Sequence, residues 1–179
     1  MKPSRSQQAT LITLTVILAL SPLTILAPGF RLAVFAYPAA RLSAFFLGAD
    51  CIPVDQGYMI AHATLPVWIS PACSGISFFV LLAAMGLGLA HRYRKLTAAA
   101  VVITALMAYA LTVLVNTCRI TLGFHAAVWA RHTLPPSMWA GIHLSVGVLV
   151  FLSALVGAYV ISEWAVVRHL EDGGPTDVK

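Results

Sequence analysis

Acidic side chains are nearly missing from this 179-residue chain, which has six in all and none from Gly57 to Ile161. That scarcity removes whole classes of site. There is no HExxH helix for a zinc peptidase, and Asp50 and Asp55 do not fall on a pair of helices as an intramembrane aspartyl protease requires. Serine chemistry of the rhomboid type is also weakened, because Ala72-Cys73 precede Ser74-Gly75 and no GxSG forms. Neither a metal nor a cofactor is expected. Charge of either sign is sparse, with Asp, Glu, Lys and Arg at 9% of residues against roughly 25% in soluble domains. The net charge of +5 could suggest nucleic acid, but the basic residues stand in short clusters beside apolar runs, as topology signals do. Paired repeats and broken helices, the marks of a transporter, are not visible either.

What remains is apolar: 60% hydrophobic residues and a mean hydropathy of +0.89. The composition predicts an all-α integral membrane protein, one domain over 1–179, with about four spanning helices of about 20 residues. The spans fall at 10–27, 74–90, 96–115 and 142–161. Between the second and third stands His91-Arg92-Tyr93-Arg94-Lys95, a tight basic connection that the positive-inside rule puts in the cytoplasm. Lys2 and Arg5 before the first span, and Arg168 and His169 after the last, agree with that sidedness. A cleaved signal peptide is the competing reading of 10–27. Residues 31–47 place Val34, Phe35, Pro38, Leu42, Phe45 and Phe46 at helical spacing between Arg31 and Arg41, which predicts an interfacial amphipathic helix on the outer face. The outer segment 49–72 holds two β-prone runs, around Gly57-Tyr58-Met59-Ile60 and Leu65-Pro66-Val67-Trp68-Ile69. They predict a short hairpin with Pro66 confining its strand to an edge.

Three chemistry-bearing residues then share the outer side. Cys73 follows Pro71 and precedes Ser74-Gly75, so its sulfur stands near a helix N-terminus, where unpaired N–H groups favour a thiolate and can hold an oxyanion. A buried structural thiol, or a disulfide with Cys51, is the equal alternative. Arg119 is the only charged residue from Thr97 to Trp129, and without a local carboxylate it needs another anion, unless it snorkels to the headgroups. Asn116, one turn earlier, is placed to orient it. His143, between Gly141 and Gly147, is favoured as base and acid over His62, His125 and His132, while His91 and His169 belong inside. Cys118 is the second choice of thiol. The small residues of Ala83-Ala84-Met85-Gly86-Leu87-Gly88 offer close contact to a neighbouring helix.

Cys73 in ACSGI, Arg119 in NTCRI and the glycine-bounded His143 resemble, in order and spacing from Gly57 to Gly147, the exosortase and archaeosortase family of membrane transpeptidases. The chain is short and has no appended soluble domain, and so is similar to the compact exosortase subtypes. The resemblance implies a cysteine peptidase or transpeptidase in the inner membrane of a diderm bacterium, with its site facing the periplasm. Its substrates would carry a C-terminal motif such as Pro-Glu-Pro, a transmembrane helix and a basic cluster. Cys73 would be the nucleophile, His143 the base and acid, and Arg119 the oxyanion or thiolate partner, with Ser74, Gly75 and Asn116 in support. A non-catalytic scaffold of an export or polysaccharide apparatus, and a small transporter, are the competing expectations.

Overall fold

The computed structural model describes residues 28–93 and 97–172, together with Gln8, Leu11 and Thr15, and leaves aside the side chains of Tyr93, Ala140, His143, 165–167 and 169–172. Helix α1 runs from Pro28 to Leu47. Within it, Arg31–Ala36 form a π turn whose closing bond joins the Tyr37 N–H to the Leu32 carbonyl, five residues back. The helix stops at Gly48, whose left-handed φ of 62° lets its N–H bond back to the Ala44 and Phe45 carbonyls. Strands β1 (Asp50–Val54), β2 (Gly57–Ala61) and β3 (Val67–Ile69) follow, then a 3₁₀ turn at Pro71–Ser74. Helix α2 spans Ile76–Tyr93, and α3 spans Ala98–Thr133, opened by the Thr97 hydroxyl accepting from the Ala100 N–H. After Leu134, Pro135 and a 3₁₀ turn at Pro136–Met138, α4 runs from Trp139 to Asp172.

Among the described residues, four helical segments are long and apolar enough to cross a membrane: Pro28–Leu47, Pro71–Arg92, Ala98–Thr133 and Leu144–Trp164. Three of them overlap the expected spans, while the expected first span, 10–27, lies outside the described residues apart from Leu11 and Thr15. The fourth is α1, the helix expected to lie on the surface. It starts three residues earlier than the sequence suggests and is apolar enough to span. The third span also differs, because its helix passes the expected end at 115 and continues to Thr133. At about 1.5 Å per residue its 36 residues reach about 54 Å, well beyond a hydrocarbon core of about 30 Å. Hydropathy marks only the lipid-compatible half. The other half is held by a packed stripe of Ile120, Gly123 and Phe124, all buried.

The expected hairpin is a three-stranded antiparallel sheet in the order β1-β2-β3. Its first strand, Asp-Cys-Ile-Pro-Val, has little alternation to give it away. Val54 pairs with Gly57 across the two-residue turn Asp55-Gln56, so this closing pair is hydrogen-bonded and alternate pairs are not. Pro53, opposite Tyr58, then falls on a pair that needs no N–H. The same alternation turns the backbone groups of Tyr58 and Ile60 toward Ile69 and Val67 of β3, leaving the Trp68 N–H and C=O on the free edge. Pro66 immediately precedes this edge strand, in keeping with its missing donor.

Two packed clusters organise the chain. In one, the alanine stripe of α1 (Ala36, Ala39, Ala40, Ala44) meets Ile60 and Ile69 of the sheet and Ile120 of α3. In the other, Phe78, Leu82 and Ala83 of α2 meet Ala108 and Val115 of α3, with Phe151, Ala154, Leu155 and Ala158 of α4 packed against them. The small residues of α2 serve this internal contact, because a Cβ at Gly86 would stand 2.6 Å from Thr104 Cγ2.

Candidate functional site

The chain reaches Cys73 through β3, whose last residue Ile69 is anchored in the first cluster. Ser70 is extended, and Pro71 starts the 3₁₀ turn with a fixed φ. Within the turn the Cys73 N–H donates to Ser70 O at 2.9 Å, and the Ser70 hydroxyl points at Cys73 Sγ at 3.8 Å. Gly75 closes it with φ 73°, packed so that a Cβ would meet Thr112 Cγ2 at 3.3 Å and Asn116 Cγ at 3.5 Å. The sulfur therefore belongs to a separate turn, three residues ahead of α2. Ser74, the rival nucleophile, is 1% exposed, and its hydroxyl accepts from Arg31 Nε at 3.5 Å.

Asn116 is fully buried, and its Nδ2 donates to the Cys73 carbonyl at 2.7 Å. It thus holds the cysteine turn, where the sequence had suggested a support for the guanidinium of Arg119. Its Oδ1 has no partner among the described residues. Arg119, one turn further along α3, lines two cavities. One, of about 240 Å³, is bounded by Cys73, the strand Val67–Ile69, and Ile120, Gly123 and Phe124 of α3. The other is an apolar cleft of about 440 Å³ between α2 and α4, headed by Arg31, Ser74 and Arg119. Among the described residues no carboxylate pairs with Arg119. Its guanidinium lies 5.2 Å from the centroid of the Phe151 ring, which stacks in turn on Phe78.

Position 143 is the fifth residue of α4, and its side chain is outside the described set. It stands four residues before Gly147, on the same helical face, and a Cβ at Gly147 would lie 3.6 Å from Arg119 Cδ. α4 thus packs against Arg119 at Gly147. Gly141, by contrast, meets nothing. Of the rivals, His125 and His132 are exposed, while His62 packs its ring 4.6 Å from that of Phe124, a wall of the Cys73 cavity. His62 Nδ1 accepts from the Thr64 N–H at 3.1 Å.

All three cysteines are free thiols. Cys51 sits on β1 against the first cluster, where burial pushes its thiol above the ordinary value and the charge of Arg41 pulls the other way. The sequence reading missed Arg31, treating it as a surface anchor. The scarcity of acids that singled out Arg119 applies equally to it, since the nearest carboxylate in sequence is Asp50. No protein family model, curated protein or solved structure matches the chain, so the likeness to exosortases and archaeosortases rests on its motif residues alone.

Proposed function

We propose that this protein is a membrane-embedded cysteine peptidase or transpeptidase of the exosortase kind, cleaving C-terminal sorting signals of exported proteins at the outer face of the inner membrane. The observation that carries the reading is the shared cavity of Cys73 and Arg119 at the head of an apolar cleft. A substrate transmembrane helix would lie against Phe78, Leu81, Leu152 and Leu155. Its motif would rise past Arg119 to the sulfur, extended along the free edge of β3. In this scheme His143 accepts the Cys73 proton while sulfur bonds to the scissile carbonyl carbon, and the carbonyl oxygen takes the electron pair facing Arg119. Collapse restores the carbonyl, breaks the C–N bond and moves the proton from His143 to the leaving amine. The product is a thioester, resolved by water, an amine or a lipid group.

Sidedness follows from charge. The basic connection 91–95 lies inside, which puts the Cys73 turn, the sheet and the outer half of α3 in the periplasm. In this reading α1 keeps the expected place along the outer boundary, although it is apolar enough to span. Arg31, near one end, reaches Pro71 O, and Leu47, at the other, packs with the sheet cluster. Between these ends α1 runs beside α3, with the Val34 carbonyl accepting from the Tyr109 hydroxyl and the Ser43 hydroxyl donating to the Thr117 carbonyl.

The test is processing of a tagged, signal-bearing substrate in cells carrying Cys73→Ala, Cys73→Ser, Arg119→Lys or His143→Ala, with Cys51→Ala as control. Loss of processing in the Cys73 variants and strong impairment in the other two is expected, with the control unaffected. Processing that persists in all four would leave a scaffold as the better description. Glu163, Glu171, Asp172 and Asp177 are assigned only a minor role toward the substrate's basic cluster, so neutralising all four leaves processing largely intact.

A further inference from the structure

Arg31 bridges the two ends of the turn that carries the sulfur. Its Nη2 donates to Pro71 O at 2.7 Å and its Nε to Ser74 Oγ at 3.5 Å, with Ala72 and Cys73 between them. Together with the bond from Asn116 to the Cys73 carbonyl, two helices grip one four-residue turn.

The π turn explains how α1 reaches it. Ala36, Ala39, Ala40, Ser43 and Ala44 form the buried stripe of α1. Continued backward at about 100° per residue, an α-helix would place residue 31 about 140° round from Ala36, off that stripe. In the π turn, hydrogen bonds join residues five apart, so Arg31 comes roughly beneath Ala36, on the side facing the Cys73 turn. One extra residue thus reconciles an alanine face for the core with an arginine aimed at the site.

We propose that Arg31 is a positioning residue, aimed by the π turn of α1 at the Pro71–Ser74 turn so that it fixes where the Cys73 sulfur stands. Its consequence for catalysis rests on the peptidase reading above; its effect on the turn does not. The test compares purified full-length wild type in lipid nanodiscs with Arg31→Ala, Arg31→Lys and a deletion of Ala33, an exposed residue inside the π turn.

Amide hydrogen exchange should rise at 72–76 in Arg31→Ala and in the deletion, and stay at the wild-type level around Gly86 and Thr104. With a tagged signal-bearing peptide as substrate, kcat should fall about 10²-fold while KM changes little, as expected of a misplaced nucleophile. Arg31→Lys, which keeps the charge and a single donor nitrogen, should retain more activity than Arg31→Ala. Wild-type exchange in the turn of Arg31→Ala, or a rise spread over all of α2 and α3, overturns the proposal. Wild-type behaviour of the deletion overturns the role of the π turn. If Cys73→Ala still processes the peptide, the peptidase reading falls and the exchange measurement alone decides for or against Arg31.

Discussion

Two glycines that look alike in sequence separate sharply once their backbones are known. Gly75 needs a left-handed φ of 73° and touches Thr112 and Asn116, whereas Gly141 has an ordinary helical conformation and open space around it. Gly75→Ala should therefore cost about 1–2 kcal/mol from the backbone alone, and more from the contact with Thr112. Gly141→Ala should be neutral or stabilising by about 0.5–1 kcal/mol, as for a helix interior. Thermal unfolding in detergent reads both, and equal shifts would contradict the geometry. The sequence reading put position 75 at the opening of the second span, and its left-handed turn shows only in the structure. The task of Asn116 was not legible in the sequence, because helical spacing put it beside Arg119 and only packing shows it turned to the Cys73 carbonyl. Cys51 supplies a pH test. Its raised thiol, caused first by burial and opposed by Arg41, holds less thiolate at a given pH than an unburied cysteine. In a protein whose only cysteine is Cys51, alkylation by iodoacetamide should continue climbing into more alkaline buffer than it does for a free cysteine peptide. Superimposable profiles would rule this out.

Among the elements, β3 links fold to function most directly. Its single free pair of backbone groups, on Trp68, stands five residues before the sulfur, and its side chain is 60% exposed. A substrate segment pairing there uses the backbone, so Trp68→Phe should process normally and Trp68→Pro, which removes the N–H, should not. Folding is kept out of the comparison by leaving the enzyme intact and replacing single substrate amides with esters. One position should lower kcat/KM by up to about tenfold, the worth of a hydrogen bond of about 0.5–1.5 kcal/mol. A flat ester scan would refute the pairing. The two runs that form β2 and β3 were readable from β-branched and aromatic residues between polar breaks. β1 was hidden by Pro53, which is tolerated only because it occupies a non-bonded pair, and α3 was cut short because hydropathy falls at Asn116 while the packed stripe continues. A further element-scale test is Gly86→Val, which drives a branched side chain into Thr104 at a contact made by stiff helices. It should loosen α2 from α3, seen as lower thermal stability with the Cys73 turn left chemically unchanged.

For the molecule as a whole, the decisive quantity is direction across the bilayer. Leu149, Leu152, Val156, Val160 and Ile161 of α4 are each more than half exposed, which fits lipid, but lipid is the same on both sides and apolar packing cannot tell inner from outer. Charge can: Arg92 and Glu163, at the 91–95 end of the bundle, approach to 3.8 Å, while the opposite end carries the sheet, Arg31, Cys73 and Arg119. The proposed sidedness rests on the basic clusters of the sequence, whereas the meeting of β3, α1, α3 and α4 around one turn, between residues as distant as Arg31 and Gly147, was not legible there. The argument makes a prediction for a protein whose only thiol is Cys73, with Cys51→Ser and Cys118→Ser. A membrane-impermeant thiol reagent added to intact spheroplasts should label it, and permeabilising the inner membrane should add little. Pre-incubation with a signal-bearing peptide should slow the labelling, because the peptide and the reagent compete for the cavity shared by Cys73 and Arg119. Labelling that requires permeabilisation would invert the topology, and labelling indifferent to the peptide would separate the thiol from the substrate path.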